Sequence, residues 1–154
     1  MKKTIHLSIN HRAYAVEVEP HWTLLDLLRN ELGLLGTKRG CDKGDCGTCI
    51  VLVNGKPVNA CLYLAVRANS KQILTVEGLE TDKGLHPLQK AFLAKGAVQC
   101  GFCTPGMLMA GISLLKENPN PTEEEVRGAI SGNLCRCTGY QHIVDAVLFA
   151  AEKR

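Results

Sequence analysis

The chain has 154 residues, 45% of them hydrophobic and 21% charged, which is enough apolar content for one domain or two small ones. Its formal net charge is +3, without a basic run or an apolar stretch long enough to cross a bilayer, so we expect neither a nucleic-acid partner nor a membrane span. Its eight cysteines follow no signal-like apolar segment, which predicts a cytoplasmic metal-binding protein rather than a disulfide-bonded one.

The first thirty residues carry the pattern of a β-hairpin followed by a helix. Apolar and polar residues alternate on both sides of Asn10 and His11, which predicts two strands joined by a turn. Thr23 is a suitable N-cap with Asp26 three positions later, and leucines recur at helical spacing after it. We therefore predict a helix over residues 24–32 that packs on the hairpin.

A short cysteine loop follows this helix. Cys41, Cys46 and Cys49 have the C-x4-C-x2-C spacing, and Cys61 lies further on, which is the plant-type ligand pattern for a 2Fe–2S cluster. Three glycines within the loop allow tight turns and a close approach of backbone N–H groups to sulfur. Structural zinc sites more often use paired C-x2-C motifs or histidine ligands. The pattern favours a 2Fe–2S cluster, with zinc as the alternative.

Three further strands complete the predicted sheet. Residues 50–53 and 57–59 flank an Asn-Gly pair typical of a type I′ turn, and residues 73–76 form the last strand. One helix on a small mixed sheet is an α+β arrangement. A polar, turn-rich stretch comes next, and we place the domain boundary there, giving domains at residues 1–79 and 80–154.

The second half has the periodicity of four short helices joined by short loops, which favours a compact bundle. Gly96 can end the first helix, and Thr104 with the proline after it can begin the second. Thr122 and Glu125 have the spacing of a capping box for the third. Apolar residues around Val147 indicate the fourth.

Four more cysteines lie where two of these helices begin. Cys100 and Cys103 precede the second helix, and Cys135 and Cys137 precede the fourth. Helix N-termini favour anionic groups such as a thiolate-bound cluster. Spacing alone leaves zinc or a redox-active thiol pair as alternatives here. Because two helix starts must meet, we expect this site to be more buried than the first.

Three segments together resemble the small iron–sulfur subunit of the molybdenum hydroxylases, the family of xanthine, carbon monoxide and nicotinate dehydrogenases. These segments are residues 40–49 with Cys61, residues 99–106 and residues 133–140. The resemblance covers essentially the whole chain and implies a plant-ferredoxin-like β-grasp domain followed by a four-helix bundle, each with one 2Fe–2S cluster. Thr48 and Ile50 stand where relatives commonly have Ala and Thr, and neither is a ligand position.

The resemblance also implies a role in an electron relay. In this family a large subunit carries molybdopterin, as the cytosine dinucleotide, and performs the substrate chemistry, while a middle subunit carries FAD. The cluster in the helical half would lie nearer the molybdenum and the other nearer the flavin. Gln99 and Cys137 match positions that approach the pterin. A dimer of heterotrimers would be in keeping with the family.

No nucleophile–base pair, phosphate-binding loop or flavin fingerprint is recognisable, so we expect no catalytic residue on this chain. Its expected enzymatic role is that of the iron–sulfur subunit of an oxidoreductase complex. Two alternatives are an independent two-cluster ferredoxin-type carrier and a zinc-binding interaction module. The substrate of the complex (a purine, another N-heterocycle, an aldehyde, carbon monoxide or an aromatic acyl-CoA ester) would be selected by the large subunit.

Overall fold

The computed structural model describes residues 1–153, which form a mixed α+β architecture with five strands in one sheet and five helices. The strands are β1 (Lys3–Ile9), β2 (Arg12–Val18), β3 (Ile50–Val53), β4 (Lys56–Asn59) and β5 (Gln72–Leu74). The helices are α1 (Leu24–Asp26), α2 (Pro87–Ala94), α3 (Thr104–Glu117), α4 (Glu123–Ala129) and α5 (Gln141–Glu152). Within residues 1–153 no helix is both long and apolar enough to span a membrane. The predicted α+β class is confirmed.

The sheet has the strand order β2-β1-β5-β3-β4, in which β1 and β5 are parallel and the other neighbours are antiparallel. The predicted hairpin is confirmed, since Ile5 pairs with Val16 and both turn residues, Asn10 and His11, have positive φ. The last strand ends two residues earlier than predicted, because the backbone turns into a short 3₁₀ helix at Val76–Gly78.

The helix predicted over residues 24–32 is one α-helical turn followed by a π-helical turn, Leu27–Glu31. Its start is as expected: Thr23 Oγ1 accepts the N–H of Asp26, and the Asp26 carboxylate accepts the N–H of Thr23. The wider turn is closed by the N–H of Leu32, which donates to the carbonyl of Leu27 five residues earlier. Arg29 then donates to two carbonyls of the chain leading to the cysteine loop.

Two apolar cores lie on opposite faces of the sheet. Val51 and Val53 of β3 belong to the core formed with β1 and α1, whereas Leu52 between them packs among the helices of the second half. This division follows from the alternation of side chains along a strand. The helical half is therefore packed directly on the sheet at β3, beside the end of the cysteine loop.

The caps of the second half are partly as predicted. Thr122 Oγ1 accepts the N–H of Glu125 at 3.2 Å, and the Glu125 carboxylate accepts the N–H of Thr122 at 2.7 Å, which confirms the capping box. Helix α2 is capped by His86, whose Nδ1 accepts the N–H of Leu88. Histidine is not among the preferred N-cap residues, so the sequence pattern did not predict this cap.

Two helical glycines should respond oppositely to alanine. At Gly128 a Cβ would meet nothing within 4 Å, so Gly128→Ala is expected to raise the free energy of unfolding by about 0.5–1 kcal/mol. At Gly106 a Cβ would overlap the Gly47 carbonyl oxygen, so Gly106→Ala is expected to lower the free energy of unfolding. Thermal denaturation followed by far-ultraviolet circular dichroism compares both variants with the wild type. Equal melting temperatures for the two variants would contradict the close contact at Gly106.

Candidate metal centres

The first centre is formed by three cysteines of the loop between α1 and β3 and by Cys61, which lies in the turn after β4. Cys41 and Cys46 are partly exposed, whereas Cys49 and Cys61 are buried. The thiols of Cys41 and Cys46 interact with each other, as do those of Cys49 and Cys61. The four cysteines predicted as one set are therefore close together, arranged as two contacting pairs.

Backbone N–H groups donate to Cys41, one of the two partly exposed cysteines of this centre. The N–H of Lys43 lies 3.5 Å from Cys41 Sγ, an approach that uses the left-handed backbone of Asp42 at φ 55°. Hydrogen bonds from the N–H groups of Lys43 and Cys46 lower the pKa of Cys41 to about 6. Burial has the opposite effect on Cys61, whose pKa rises to about 12. Hydrogen bonds therefore stabilise the thiolate form of Cys41. The thiolate form of Cys61, in contrast, requires a nearby cation.

An arginine connects this loop to the start of α1. Arg39 Nη1 lies 2.7 Å from an Asp42 carboxylate oxygen, and Arg39 Nη2 lies 2.5 Å from Asp26. Burial acts to raise the pKa of Asp26, but hydrogen bonds from Thr23 and Arg39 outweigh it and lower the pKa. The same carboxylate therefore caps α1 and holds the guanidinium that fixes Asp42, the residue next to Cys41.

The second centre is formed where α3 and α5 begin. Cys103 occupies the N-cap of α3 and contacts Cys135, while Cys100 contacts Cys137. These four cysteines also form two contacting pairs. Within residues 1–153, no three His, Cys, Asp or Glu side chains converge in the arrangement of a single-ion site.

The expectation that the second centre is the more buried one is wrong for this chain. Cys100 and Cys137 are exposed. In the first centre, Cys41 and Cys46 are only partly exposed and the other two cysteines are buried. Helices α3 and α5 begin at the surface of the chain, so only the inner pair is shielded from solvent: Cys103 is buried and Cys135 is partly buried. Gln99 is exposed beside Cys100, and Leu134 and Phe102 nearby are 55% and 46% exposed. The outer pair, Cys100 and Cys137, thus lies at the surface of the chain.

The loop before α5 is held by Cys135 and its neighbours. Thr138 Oγ1 lies 3.1 Å from Cys135 Sγ, and the Thr138 N–H lies 3.4 Å from the same sulfur. The Tyr140 hydroxyl accepts the N–H of Cys135, and Tyr140 itself has φ 70°, an uncommon conformation for an aromatic residue. Burial alone would raise the pKa of Cys135, but the hydrogen bonds from Thr138 lower it.

The two cysteine loops touch each other at what we call the junction, formed by Cys46, Gly47, Gly106, Asn133 and Leu134. The N–H of Leu134 donates to the Cys46 carbonyl at 2.9 Å, and Asn133 Nδ2 donates to the Gly47 carbonyl at 3.1 Å. Asn133 is only 3% exposed. Sequence reasoning did not identify Asn133 as a contact residue, because its partner is 86 positions away and no local pattern signals it.

Comparison with known proteins agrees with this geometry. Residues 7–74 match the family described as "2Fe-2S iron-sulfur cluster binding domain", and residues 75–148 match "[2Fe-2S] binding domain". The chain is 50% identical over 152 residues to the nicotinate dehydrogenase small FeS subunit of Eubacterium barkeri, covering 99% of this chain and 97% of that protein. It is 48% identical over 147 residues to the xanthine dehydrogenase iron-sulfur-binding subunit of Escherichia coli O157:H7, covering 94% and 92%.

A solved structure extends the likeness to three dimensions. Quinoline 2-oxidoreductase from Pseudomonas putida 86 contains a chain that superimposes with a TM-score of 0.95 at 48% identity, covering 98% of this chain and 94% of that one. The two family models together span residues 7–148, and the two relatives and this structure each cover 94% or more of the chain. The chain belongs to the family of small iron–sulfur subunits of the molybdenum hydroxylases, with two 2Fe–2S-binding domains.

Proposed function

We propose that this chain passes electrons one at a time from a molybdopterin centre on a large partner subunit to FAD on a middle partner subunit. The observation that carries this proposal is the junction, since two four-cysteine centres in one chain are connected by the hydrogen bond from Leu134 to Cys46. An independent two-cluster ferredoxin-type carrier is the second candidate, because such a carrier would need the same two centres.

Each set of four cysteines would hold one 2Fe–2S cluster. The first set is Cys41, Cys46, Cys49 and Cys61; the second set is Cys100, Cys103, Cys135 and Cys137. Two contacting thiol pairs per centre fit the group, because each of its two irons takes two thiolates. When bound, a 2Fe–2S cluster exchanges a single electron.

A short path of backbone bonds and one hydrogen bond connects the two centres. From Cys46 Sγ the connection runs along the Cys46 backbone to its carbonyl, across one hydrogen bond to the N–H of Leu134, and along the backbone to Cys135. Asn133 is buried within the junction and a Cβ at Gly47 would overlap the carbonyl of Gly132, so the two loops are closely packed there. The two centres are thus held at a fixed separation by the protein.

At the outer side of the second centre, exposed residues are suited to a partner. Gln99 and Cys137 are both exposed, and Phe102 and Leu134 of the same two loops have exposed apolar side chains. An amide and a thiolate sulfur can donate to and accept from a polar ring such as pterin. In the proposed complex these two residues approach the molybdopterin of the large subunit.

The finer assignments follow from the same proposal. The domains are residues 1–79, a plant-ferredoxin-like β-grasp unit, and residues 80–154, a four-helix bundle in which Arg154 lies outside the described residues. All strands precede residue 75 and helices α2 to α5 follow residue 86, which supports this division. The complex is a cytoplasmic dimer of heterotrimers. The relatives named above act on different compounds, so the large subunit selects the substrate.

Iron and acid-labile sulfide analysis with low-temperature EPR tests this function. Protein purified without oxygen and reduced with dithionite should contain about four iron and four sulfide per chain and give two distinct rhombic signals. Zinc in place of iron, or an EPR signal from only one cluster, would contradict it. Purification from the native host separates the two candidates, since a subunit copurifies with two larger chains and an independent carrier does not.

A further inference from the structure

Each centre has one buried threonine whose hydroxyl lies against a cysteine sulfur. Thr138 Oγ1 is 3.1 Å from Cys135 Sγ, and Thr48 Oγ1 is 3.2 Å from Cys46 Sγ. The two threonines are 9% and 5% exposed, so water does not compete strongly for these hydroxyls. A hydroxyl has one proton and two lone pairs, and its other partners decide whether it donates to sulfur.

At Thr138 the other partner fixes the direction of the bond. The N–H of Tyr140 donates to Thr138 Oγ1 at 3.1 Å, so the threonine oxygen acts as the acceptor there. The hydroxyl proton remains available, and Cys135 Sγ is the acceptor within reach. Since the Thr138 N–H approaches the same sulfur at 3.4 Å, this one residue presents two donors to Cys135.

At Thr48 the proton is shared between two acceptors. The Lys38 carbonyl lies 3.4 Å from Thr48 Oγ1, on the long side for a hydroxyl hydrogen bond, and Cys46 Sγ lies at 3.2 Å. The arrangement depends on Gly40, where a Cβ would come within 2.7 Å of both Cys46 Sγ and Thr48 Oγ1. Donation to sulfur is therefore weaker at Thr48 than at Thr138.

The two sulfurs concerned are those of the residues joined through the junction, because Leu134, which donates to the Cys46 carbonyl, immediately precedes Cys135. We infer that Thr138 and Thr48 are positioning residues whose hydroxyl protons set the reduction potentials of the two centres, with Thr138 having the larger effect. A hydrogen bond to a ligating sulfur stabilises the more negative, reduced state and so raises the potential. This inference rests on the proposed ligand sets.

The test is an EPR-monitored redox titration of the complex purified without oxygen. Thr138→Val should lower the reduction potential of the second centre by about 59 mV, which corresponds to a tenfold change in the equilibrium constant for adding one electron. Thr48→Val should lower that of the first centre by less. Thr138→Ser, which retains the hydroxyl, should keep the wild-type value. Thr75→Val is the control, since it removes a fully buried hydroxyl that bonds to Asn10 and Glu77 and not to sulfur.

Thr138→Ala is a second variant that removes the hydroxyl without placing a methyl group against the sulfur, and it should shift the potential in the same direction. Resonance Raman spectra of the wild type in light and heavy water should show a deuterium shift of an iron–thiolate stretch that is smaller in Thr138→Ala, which retains only the backbone N–H as donor to this sulfur. Iron-replete variants with unchanged potentials and an unchanged deuterium shift would overturn the inference. A wild-type protein without iron would instead overturn the proposed function.

Discussion

Replacing Cys103 with serine is expected to remove one of two clusters, so that iron falls from about four atoms per chain to about two. Cys103 occupies the N-cap of α3 and is 9% exposed. Without metal, burial and the neighbouring cysteines raise the pKa of its thiol to about 12, so the thiolate form requires a cationic partner. A serine oxygen in this position is a harder and more weakly iron-binding ligand than sulfur.

The reciprocal control is Cys61→Ser in the first centre. Cys61 is 7% exposed and burial raises the pKa of its thiol to about 12 as well, so the two substitutions are matched in environment. Each variant should lose one EPR signal and keep the other. The junction hydrogen bonds are made by backbone atoms of Cys46 and Leu134 and by Asn133, none of which is replaced. If either variant retained both signals at full intensity and with wild-type g values, that cysteine would not be a ligand.

The features that the sequence predicted correctly depend on residues a few positions apart. The Thr122–Glu125 capping box, the turn at Asn10 and His11, and the start of α3 at Thr104 are each decided within about four residues of the chain. Cysteine spacing is local only within each motif, and which motifs share a cluster remains a prediction. Iron–sulfur ligation imposes a fixed loop geometry, and that geometry leaves a fixed spacing in the sequence.

The features that the sequence did not predict depend on distant partners or on the surface. The π-helical turn at Leu27–Glu31 has no pattern distinct from an α-helix, because both place the same leucines inward. The exposure of Cys100 and Cys137 depends on where two helix starts meet, which periodicity does not specify. The contact of Asn133 with Gly47 joins residues 86 positions apart. The cysteines were therefore recognisable, whereas the contact connecting their two loops was not.

Substitution of Asn133 should weaken the contact between the two cysteine loops. The Gly47 carbonyl accepts a hydrogen bond, so the side chain facing it has to present the amide Nδ2 as donor. The Gly47 carbonyl also accepts the N–H of Ile50, so Asn133→Ala removes one of its two hydrogen bonds in a buried place, which is expected to cost about 0.5–1.5 kcal/mol of unfolding free energy. Asn133→Asp is expected to cost more, because a carboxylate then faces the carbonyl at a position that is 3% exposed.

The consequence for function is measurable in protein that retains both clusters. When the junction loosens, the Leu134–Cys46 hydrogen bond lengthens and the two centres interact more weakly. The spin–spin broadening of the EPR signals in fully reduced protein should therefore decrease in Asn133→Ala, and electron exchange between the centres should slow. Asn120→Ala makes the same substitution at an exposed position and should alter neither quantity. An iron-replete Asn133→Ala with wild-type broadening would show that the contact of the two loops does not depend on the Asn133 side chain, and that the Leu134–Cys46 hydrogen bond and the close contact at Gly106 maintain it.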